Sequence, residues 1–342
     1  MGVPLVGRTT ARWSIRATPS AWLTMPLEVV VSEEYGGFGA PQYRRKYAKA
    51  AVTVTSGRPW MDRFAAGSPP DVVLNTGDKA LVVSRLVAEN RPADLQQVLD
   101  APSWEDEGSP VKDTVLPGML DAGRYEGTLR SICCVATVYG FWYSARLFQK
   151  YGWEVPRSWP DLLALGAEMK AKGLPAFTYA GTHPYYVLEP LLTLAAKTGG
   201  QDVLKRIDNL EDGAWQDESV SRALKAFGEL SKRGLLLKNT AKLDHLGSQT
   251  QLLTSKVGLL PCGNWLENEM KAVIQPDFGL TMVGIPPLDA SPALPKALHV
   301  APTAPLLVSE QAKNKPGGLE YLRALLSKDV AAQVTAESNQ LT

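Results

Sequence analysis

The stretch YGFWYSARLFQKYGWEVPRSWPDLLALGAEMKAKGLPAFTYAG, residues 139–181, decides the class of fold, because it passes from strand to helix and back to strand. Its helix is marked by Ser158 as N-cap, Pro160 in the first turn and Asp161 three residues after the serine. Gly173 ends that helix. A strand, a helix and another strand in immediate succession are typical of α/β domains.

Further strands and helices surround this stretch along the chain. The preceding run SICCVATVYGFWYSARLF mixes β-branched and aromatic residues, and we predict two strand pieces joined near Tyr139 and Gly140, where the chain could cross between domains. A helix in PYYVLEPLLTLAAKTG, another in SVSRALKAFGELSKRGLL and a strand in KVGLLPCGNW follow. Together these segments predict one complete α/β set.

A second α/β set precedes it. LEVVV at 27–31, AVTVTS at 51–56 and DVV at 71–73 are β-branched runs that predict strands, with an amphipathic helix in YRRKYAKA at 43–50. Residues 79–100 have helical spacing. The order of strands and helices predicts a parallel sheet.

The composition excludes several classes of function. Over 342 residues, 36 Lys and Arg stand against 35 Asp and Glu, so the net charge of +1 offers no attraction to nucleic acid or to an anionic membrane. Apolar residues make up 45% and charged residues 21%, as in globular proteins. We therefore expect one large or two ordinary globular domains with no polyanionic partner.

The residue types that hold metals and cofactors show no motif. Cys133, Cys134 and Cys262 have no CxxC spacing, and we interpret them as small buried groups, as expected in a reducing compartment. The three histidines are far apart in the sequence. GGFG at 36–39 lacks the third glycine of a dinucleotide fingerprint. The sequence predicts neither a metal site nor a cofactor.

Residues 1–25 resemble the charged beginning of an export signal without the remainder. Arg8, Arg12 and Arg16 occur there with no acid, but proline and hydroxyl residues interrupt the apolar run that a signal needs. No cysteine follows that could carry a lipid, and no later segment has the roughly 18 apolar residues of a membrane span. We expect a leader-like or disordered segment, and a cytoplasmic protein if Met1 is the true start.

Four stretches resemble one family: residues 139–181, PPDVV at 69–73, SKVGLLPCGNWLENE at 255–269 and GGLEYLRALLSK at 317–328. They resemble the extracellular solute-binding proteins of carbohydrate ABC transporters, of which maltose-binding protein is the familiar member. The resemblance covers most of residues 26–330.

Three shorter stretches are similar to one branch of that family: DAPSWEDEGSPVKDTVLPG at 100–118, IDNLEDGAW at 207–215 and GNWLENEMK at 263–271. This branch binds N-acetylglucosamine and its β-linked disaccharide. The resemblance implies a small saccharide ligand and, if the protein is exported, an ABC permease as partner and an extracellular location with a lipid anchor. We expect a monomer.

The resemblance also implies the fold class, which is α/β in the two-lobed periplasmic-binding-protein-like fold of type II. Each lobe is then a mixed sheet flanked by helices, with the ligand cleft between the lobes. We expect the first lobe to comprise residues 26–137 and about 290–320. The second lobe is expected to comprise residues 138–289 and a C-terminal helix at 321–342.

A saccharide site needs aromatic rings for the apolar faces of a sugar and polar groups for its hydroxyls. Trp265 directly follows a predicted strand and matches the stacking tryptophan of the family; its alternative is packing within the lobe. Asn264 and Glu267 are candidate hydrogen-bonding neighbours. Tyr185 resembles the position from which maltose-binding protein directs an aromatic ring into its cleft, although a tyrosine at a helix start could also fill the core.

Loops at the carboxyl ends of strands supply the other candidates, because open sheets bind ligands there. Asn75 and Asp78 follow the DVV strand, and Asp78 could instead cap the next helix. Glu33 and Tyr35 follow the first strand. Trp142, near the expected crossing, is a candidate whose alternative is a place in the core and hinge.

Two functions from different classes remain open. The first is a binding protein that closes by hinge motion around its sugar and delivers it to a permease. The second is a cytoplasmic biosynthetic enzyme of unknown reaction on the same scaffold, with Glu33, Asp78 or Glu267 as acid or base. The missing export signal and a first lobe that is shorter than the family norm before Pro69 motivate it. A sensor that binds sugar and reports to another partner is a third possibility.

Overall fold

The computed structural model describes residues 22–31, 37–56, 63–64, 66–76, 80–116, 118–338 and 341–342. The chain divides into two compact units. Unit 1 comprises the residues up to Ala136 together with Pro302–Thr342, and unit 2 comprises Thr137–Ala301. Of the leader-like segment expected at 1–25, residues 1–21 lie outside the described part of the chain.

Strands and helices are numbered here in chain order. The strands are β1 (Leu27–Val31), β2 (Val52–Ser56), β3 (Val72–Leu74), β4 (Arg124–Tyr125), β5 (Thr128–Leu129), β6 (Ile132–Ser144), β7 (Leu260–Gly263), β8 (Leu280–Val283) and β9 (His299–Val308). The α-helices are α1 (Gly39–Lys46), α2 (Val83–Ala88), α3 (Gln96–Asp100), α4 (Ala145–Tyr151), α5 (Trp159–Ala171), α6 (Tyr185–Gly199), α7 (Asp202–Asp208), α8 (Glu218–Lys232), α9 (His245–Leu253), α10 (Leu266–Glu269), α11 (Lys315–Leu325) and α12 (Lys328–Ser338). The chain passes between the units within β6 and within β9.

Unit 1 is built on a mixed sheet in which the strand order is β2-β1-β3-β9. Leu27 pairs with Val52 and Val29 pairs with Val72 in parallel register, whereas Val72 pairs with Val308 in antiparallel register. The predicted strands β1, β2 and β3 are confirmed, and their parallel pairing is confirmed as well. The antiparallel β9 makes the sheet mixed, as the family resemblance implies.

The C-terminal residues pack in unit 1, whereas residues 321–342 were expected in the second lobe. Tyr321 on α11 is fully buried against Tyr43 on α1, with ring centroids 5.6 Å apart. The carboxylate of Asp71 accepts the backbone N–H of Asn314 and that of Glu28, each at 2.8 Å, and so joins the start of α11 to β1. This buried packing keeps α11 and α12 with the first sheet.

In unit 2, strand β6 lies between two antiparallel partners. Tyr139 pairs with Gly263 on β7, and Phe141 pairs with Val283 on β8. The predicted break near Tyr139 and Gly140 is wrong, because β6 runs without interruption from Ile132 to Ser144 and both of its edges are paired here. A Cβ at Gly140 would lie 2.5 Å from the carbonyl oxygen of Val283, so the glycine permits the close approach of β8.

The predicted start of α5 is confirmed in its details. The Ser158 hydroxyl accepts the N–H of Asp161 at 3.2 Å, and the Asp161 carboxylate accepts the N–H of Ser158 at 3.0 Å. Gly173 follows the helix with φ +77°, a left-handed conformation that favours glycine.

The second strand predicted within residues 139–181, AFTYAG at 176–181, is not formed. Phe177 instead makes isolated bridges to Leu236 and to Leu259. Its side chain is buried in the core of unit 2, edge to face with Phe141 at a centroid distance of 5.3 Å. The apolar residues of this segment therefore predict its burial correctly. Its backbone forms too few bridges to neighbouring segments to make a strand.

Candidate functional site

Trp265 lies at the start of α10, two residues after the end of β7, and its ring is half-buried. A Cβ at Gly263 would lie 1.9 Å from Cζ3 of this ring, so the ring folds back over the strand in a place that only glycine leaves open. The ring also meets Tyr139 edge to face, with centroids 5.6 Å apart. Two aromatic side chains thus form one surface beside the last pair of β6 and β7.

Asn264 holds this surface in register. Its backbone N–H donates to the carbonyl of Val138 at 2.9 Å, and its side-chain oxygen accepts the N–H of Val138 at 3.2 Å. These two bonds continue the β6–β7 pairing by one residue beyond Gly263. In this structure Asn264 therefore positions Trp265, and the predicted ligand contact at Asn264 stays a prediction.

Tyr185 begins α6 and lies half-buried in an aromatic cluster. Its ring centroid is 5.1 Å from that of Tyr186 and 5.8 Å from that of His245. The rings of His183 and His245 lie 3.7 Å apart by centroid. Tyr186 is buried, its hydroxyl lies 2.9 Å from Nδ1 of His245, and burial raises its pKa. Tyr186 therefore fills the core, and Tyr185 is the tyrosine of this pair that remains partly accessible.

Trp265 and Tyr185, predicted separately, line the same small depression in unit 2. The depression also includes Tyr139 and Glu189, which the sequence analysis missed. Its volume of about 10 Å³ is that of roughly one water molecule. Unit 2 by itself thus offers an aromatic surface with a carboxylate at its edge, and no enclosed pocket at this place.

Glu189 is fixed by a histidine from the start of β9. Its carboxylate lies 3.0 Å from Nε2 of His299, whose Nδ1 lies 2.9 Å from the Thr193 hydroxyl. The His299 ring packs on Tyr139 at a centroid distance of 5.2 Å. Burial and the charge of Glu189 raise the pKa of Tyr139, which keeps its hydroxyl protonated and able to donate a hydrogen bond.

A signal for Glu189 was present in the sequence, and one for Tyr139 was not. Glu189 is four residues after Tyr185, so the two lie on the same face of a helix. Tyr139 approaches Trp265 because β6 pairs with β7 across more than a hundred residues, and the sequence does not give that register.

The other two candidates of unit 2 do not line the depression. Trp142 is 4% exposed in the core, and its indole N–H donates to the carbonyl of Gly263 at 3.1 Å. It therefore supports β7 from within the core, as its alternative interpretation stated. Glu267 is exposed on α10.

In unit 1, Asn75 serves the backbone of its own loop. It is 3% exposed, its side-chain amide donates to the carbonyl of Leu81 at 2.8 Å, and its side-chain oxygen accepts the N–H of Leu81 at 2.9 Å. Asn75 therefore closes its own loop in this structure, and its predicted ligand contact stays a prediction. Glu33, Tyr35 and Asp78 lie outside the described residues, so they stay predictions.

Unit 1 also contains a mostly apolar cavity of about 350 Å³, lined by Leu74, Leu306, Cys133 and Cys134 among others. Burial raises the pKa of the Cys133 thiol to about 11 and that of the Cys134 thiol to about 12. Cys262 is buried in unit 2, and burial raises its pKa as well. The three cysteines are free thiols; Cys133 and Cys262 are buried, as the sequence predicted, whereas Cys134 is only partly buried.

Within the described ranges, no group of three His, Cys, Asp or Glu side chains is arranged to hold a metal ion. Across the same part of the chain, every helix is too short or too polar to cross a membrane.

Comparison with known proteins places the chain in a family. Residues 32–332 match the bacterial extracellular solute-binding proteins, and the chain belongs to this family. Its α/β fold of two units is the type II fold of solute-binding proteins.

One relative is the diacetylchitobiose binding protein NgcE of Streptomyces coelicolor, which is 34% identical over 272 residues. The match covers 79% of this chain and 57% of NgcE, so the chain spans less than two thirds of the length of that relative.

Two solved structures share the fold. A protein from the thermophilic bacterium Caldanaerobius polysaccharolyticus, described in work on xylan utilization, superposes with a TM-score of 0.76 at 15% identity, over 93% of this chain and 81% of the other. A chitin oligosaccharide binding protein superposes with a TM-score of 0.68 at 20% identity, over 88% of this chain and 76% of the other.

Proposed function

We propose that this protein binds N-acetylglucosamine or a short β-linked oligosaccharide of it and presents the sugar for uptake by an ABC transporter. The observation that carries the proposal is the aromatic surface of Trp265, Tyr139 and Tyr185 in unit 2, with Glu189 at its edge. Aromatic rings with a carboxylate beside them match the apolar faces and the hydroxyl edge of a sugar.

The chemistry of the surface suits a β-linked amino sugar. Equatorial hydroxyls leave the two faces of such a ring apolar, and these faces stack on rings such as Trp265 and Tyr139. The carboxylate of Glu189 and the protonated hydroxyl of Tyr139 supply an acceptor and a donor for the sugar's edge. An acetamido group adds a methyl for the aromatic surface and an N–H for the carboxylate.

The family and the relative support the same ligand class. The family consists of extracellular solute-binding proteins. NgcE is named for diacetylchitobiose, the disaccharide of N-acetylglucosamine, and shares 34% identity with this chain. We therefore propose that an ABC permease is its partner and that it functions outside the cytoplasm. From the family resemblance we also expect a monomer with a lipid anchor.

The enzyme alternative gains no support. It depended on Glu33, Asp78 or Glu267 as acid or base. Glu267 is exposed on α10 and does not line the aromatic depression, and the other two lie outside the described residues.

The test is calorimetric titration of the protein with N-acetylglucosamine, diacetylchitobiose, cellobiose and maltose. Trp265→Ala is the test variant. Trp215→Ala is its matched control, because Trp215 is also in unit 2 but is 48% exposed and does not line the depression. Removing a stacking tryptophan should weaken binding at least about tenfold, whereas the control should bind as the unchanged protein does.

Saturable binding of the two amino sugars, with cellobiose and maltose bound more weakly, would support the proposal. Equal binding by Trp265→Ala and the unchanged protein would show that the sugar uses another surface. A folded protein that binds none of the four sugars would overturn the proposal.

A further inference from the structure

A second groove in unit 2 borders the aromatic depression, with which it shares Ile285. Its volume is about 670 Å³. One wall is formed by residues 283–287, from the last residue of β8 onward, and another by residues 295–298, which precede β9. Residues 154–157 and Lys197 complete the groove. Every residue of unit 2 is described, so the groove has no boundary in an undescribed segment.

Lys197 is an unusual side chain to find in such a wall. It lies in the last turn of α6 and is 5% exposed. Its ammonium donates to the carbonyl of Ile285 at 2.7 Å, and it has no carboxylate partner among the described residues. Burial alone lowers its pKa, with no acid to oppose the effect. A buried cation that has one neutral acceptor is short of compensating negative charge.

The other charged residues of the groove add to this positive field. Arg157 and Lys296 are exposed residues of its lining, and Glu154 is the acidic residue of the lining. None of these three side chains makes an ion pair with a described residue. The lining thus carries three cationic side chains and one anionic side chain.

Two of the last carbonyls of α6 already have hydrogen-bond donors within the protein. Helix ends of this kind carry partial negative charge on their last carbonyls. Here the carbonyl of Lys197 accepts the backbone N–H of Ala293 at 2.8 Å and that of Leu294 at 3.4 Å. The carbonyl of Ala196 accepts the N–H of Gly200 at 2.8 Å. These carbonyls are therefore satisfied within the protein.

We propose that this groove binds the oxyanion group of a small molecule, a carboxylate, sulfate or phosphate, with Lys197 at its base and Arg157 and Lys296 at its rim. An oxyanion would give the Lys197 ammonium the charged acceptor that the protein does not provide. Its three cationic side chains do not line the aromatic depression, and the proposal does not depend on which sugar that depression binds.

The test is thermal unfolding and calorimetric titration with sodium phosphate, sulfate and acetate, each compared with chloride at equal ionic strength. Lys197→Met is the main variant, and Lys225→Met, on the exposed face of α8, is its matched control. We expect saturable binding of at least one oxyanion with one site per chain. Loss of a charge-assisted hydrogen bond should weaken it at least about tenfold in Lys197→Met, and the control should bind normally.

A second variant keeps the test decisive if Lys197→Met fails to fold. Arg157→Gln combined with Lys296→Gln changes two exposed side chains and should fold, with oxyanion affinity reduced about tenfold. Binding of acetate alone would identify a carboxylate site, and binding of phosphate or sulfate alone would identify a tetrahedral-anion site. The proposal fails if the three oxyanions act as chloride does, or if the variants bind them as tightly as the unchanged protein.

Discussion

Gly263 determines the position of the Trp265 ring, because the ring occupies the space of a missing side chain. A Cβ at this position would lie 1.9 Å from Cζ3 and 2.2 Å from Cε3 of that ring. Contacts this short force the ring away from β7 and from its edge-to-face contact with Tyr139. A substitution that adds one carbon therefore tests the aromatic surface without removing any of its rings.

We expect Gly263→Ala to weaken the binding of amino sugars at least about tenfold, close to the effect of Trp265→Ala. The measurement is calorimetric titration with diacetylchitobiose, together with the near-ultraviolet circular dichroism of the tryptophans. Gly228→Ala on α8 is the control, since a Cβ there meets nothing within 4 Å. Normal sugar affinity in a folded Gly263→Ala protein would contradict the position assigned to the ring.

Asn75 shows why residue type alone does not separate a ligand contact from a structural one. An asparagine after a strand is suited to both, and here its amide closes the loop to Leu81 with two hydrogen bonds. We expect Asn75→Ala to lower the free energy of unfolding by about 1–3 kcal/mol, because it leaves partly buried backbone groups of Leu81 without these partners. Urea denaturation measures this, with Asn209→Ala at an exposed helix end as control. A change as small as that of the control would refute the loop-closing role.

At the scale of elements, an ion pair joins β1 to the segment at 63–64. Nη2 of Arg63 lies 2.7 Å from Oε2 of Glu28, and Nη1 of Arg63 contacts the other carboxylate oxygen. The hydrogen bonds from Arg63 hold the pKa of Glu28 below its ordinary value of 4.5. Both side chains are about one third exposed, so solvent weakens the pair.

The pH dependence of Arg63→Met follows from the sign of that shift. A carboxyl whose pKa is lower in the folded state stabilises the fold above its unfolded pKa, and this stabilisation is lost as pH falls through the folded value. We expect Arg63→Met to be less stable by at most about 1 kcal/mol at pH 7, with the difference closing below about pH 4. Urea denaturation across this range measures it, and Arg85→Met, from the more exposed pair with Glu89, should show little change. A constant difference between pH 7 and pH 3 would mean that the ion pair is not its cause.

The elements themselves were largely predictable, and their pairing was not. Local signals identified β1, β2, β3 and the capped start of α5, since β-branched runs and capping residues act within a few positions. The local signals failed at Gly140, where they indicated a break in the strand, because this glycine instead lets β8 pack closely. They also failed at Phe177, because its segment makes too few backbone pairs to form a strand. Both errors concern partners that are distant in the sequence.

For the whole molecule, the family resemblance predicted the type II fold, but the assignment of residues 321–342 to the second lobe was wrong. Membership in a unit depends on contacts such as Tyr321 with Tyr43, which no local pattern encodes. The same limit applies to the site. Trp265 and Tyr185 were predicted because each matches an aromatic position of the family. Tyr139 could be assigned to the site only from the β6–β7 register.

Tyr321→Ala tests the membership of α11 in unit 1. The side chain is fully buried, so we expect a loss of about 3–5 kcal/mol in the free energy of unfolding. Hydrogen exchange should show reduced protection in β1, β3 and α1, with unit 2 little changed. Tyr151→Ala, at an exposed tyrosine of unit 2, is the control. Reduced protection centred on unit 2 would contradict the division of the chain.

The raised pKa values of the native thiols allow a fluorescent label to be attached selectively to an introduced cysteine. A thiol with a pKa of about 11, as at Cys133, is ionised to only about 1 part in 10,000 at pH 7, so maleimide dyes react with it very slowly. One cysteine introduced at Leu246, which is 54% exposed and adjacent in the chain to His245, would therefore take the label selectively. A fluorophore at that place reports on the aromatic cluster around Tyr185, and the buried Cys133 and Cys262 can stay in place.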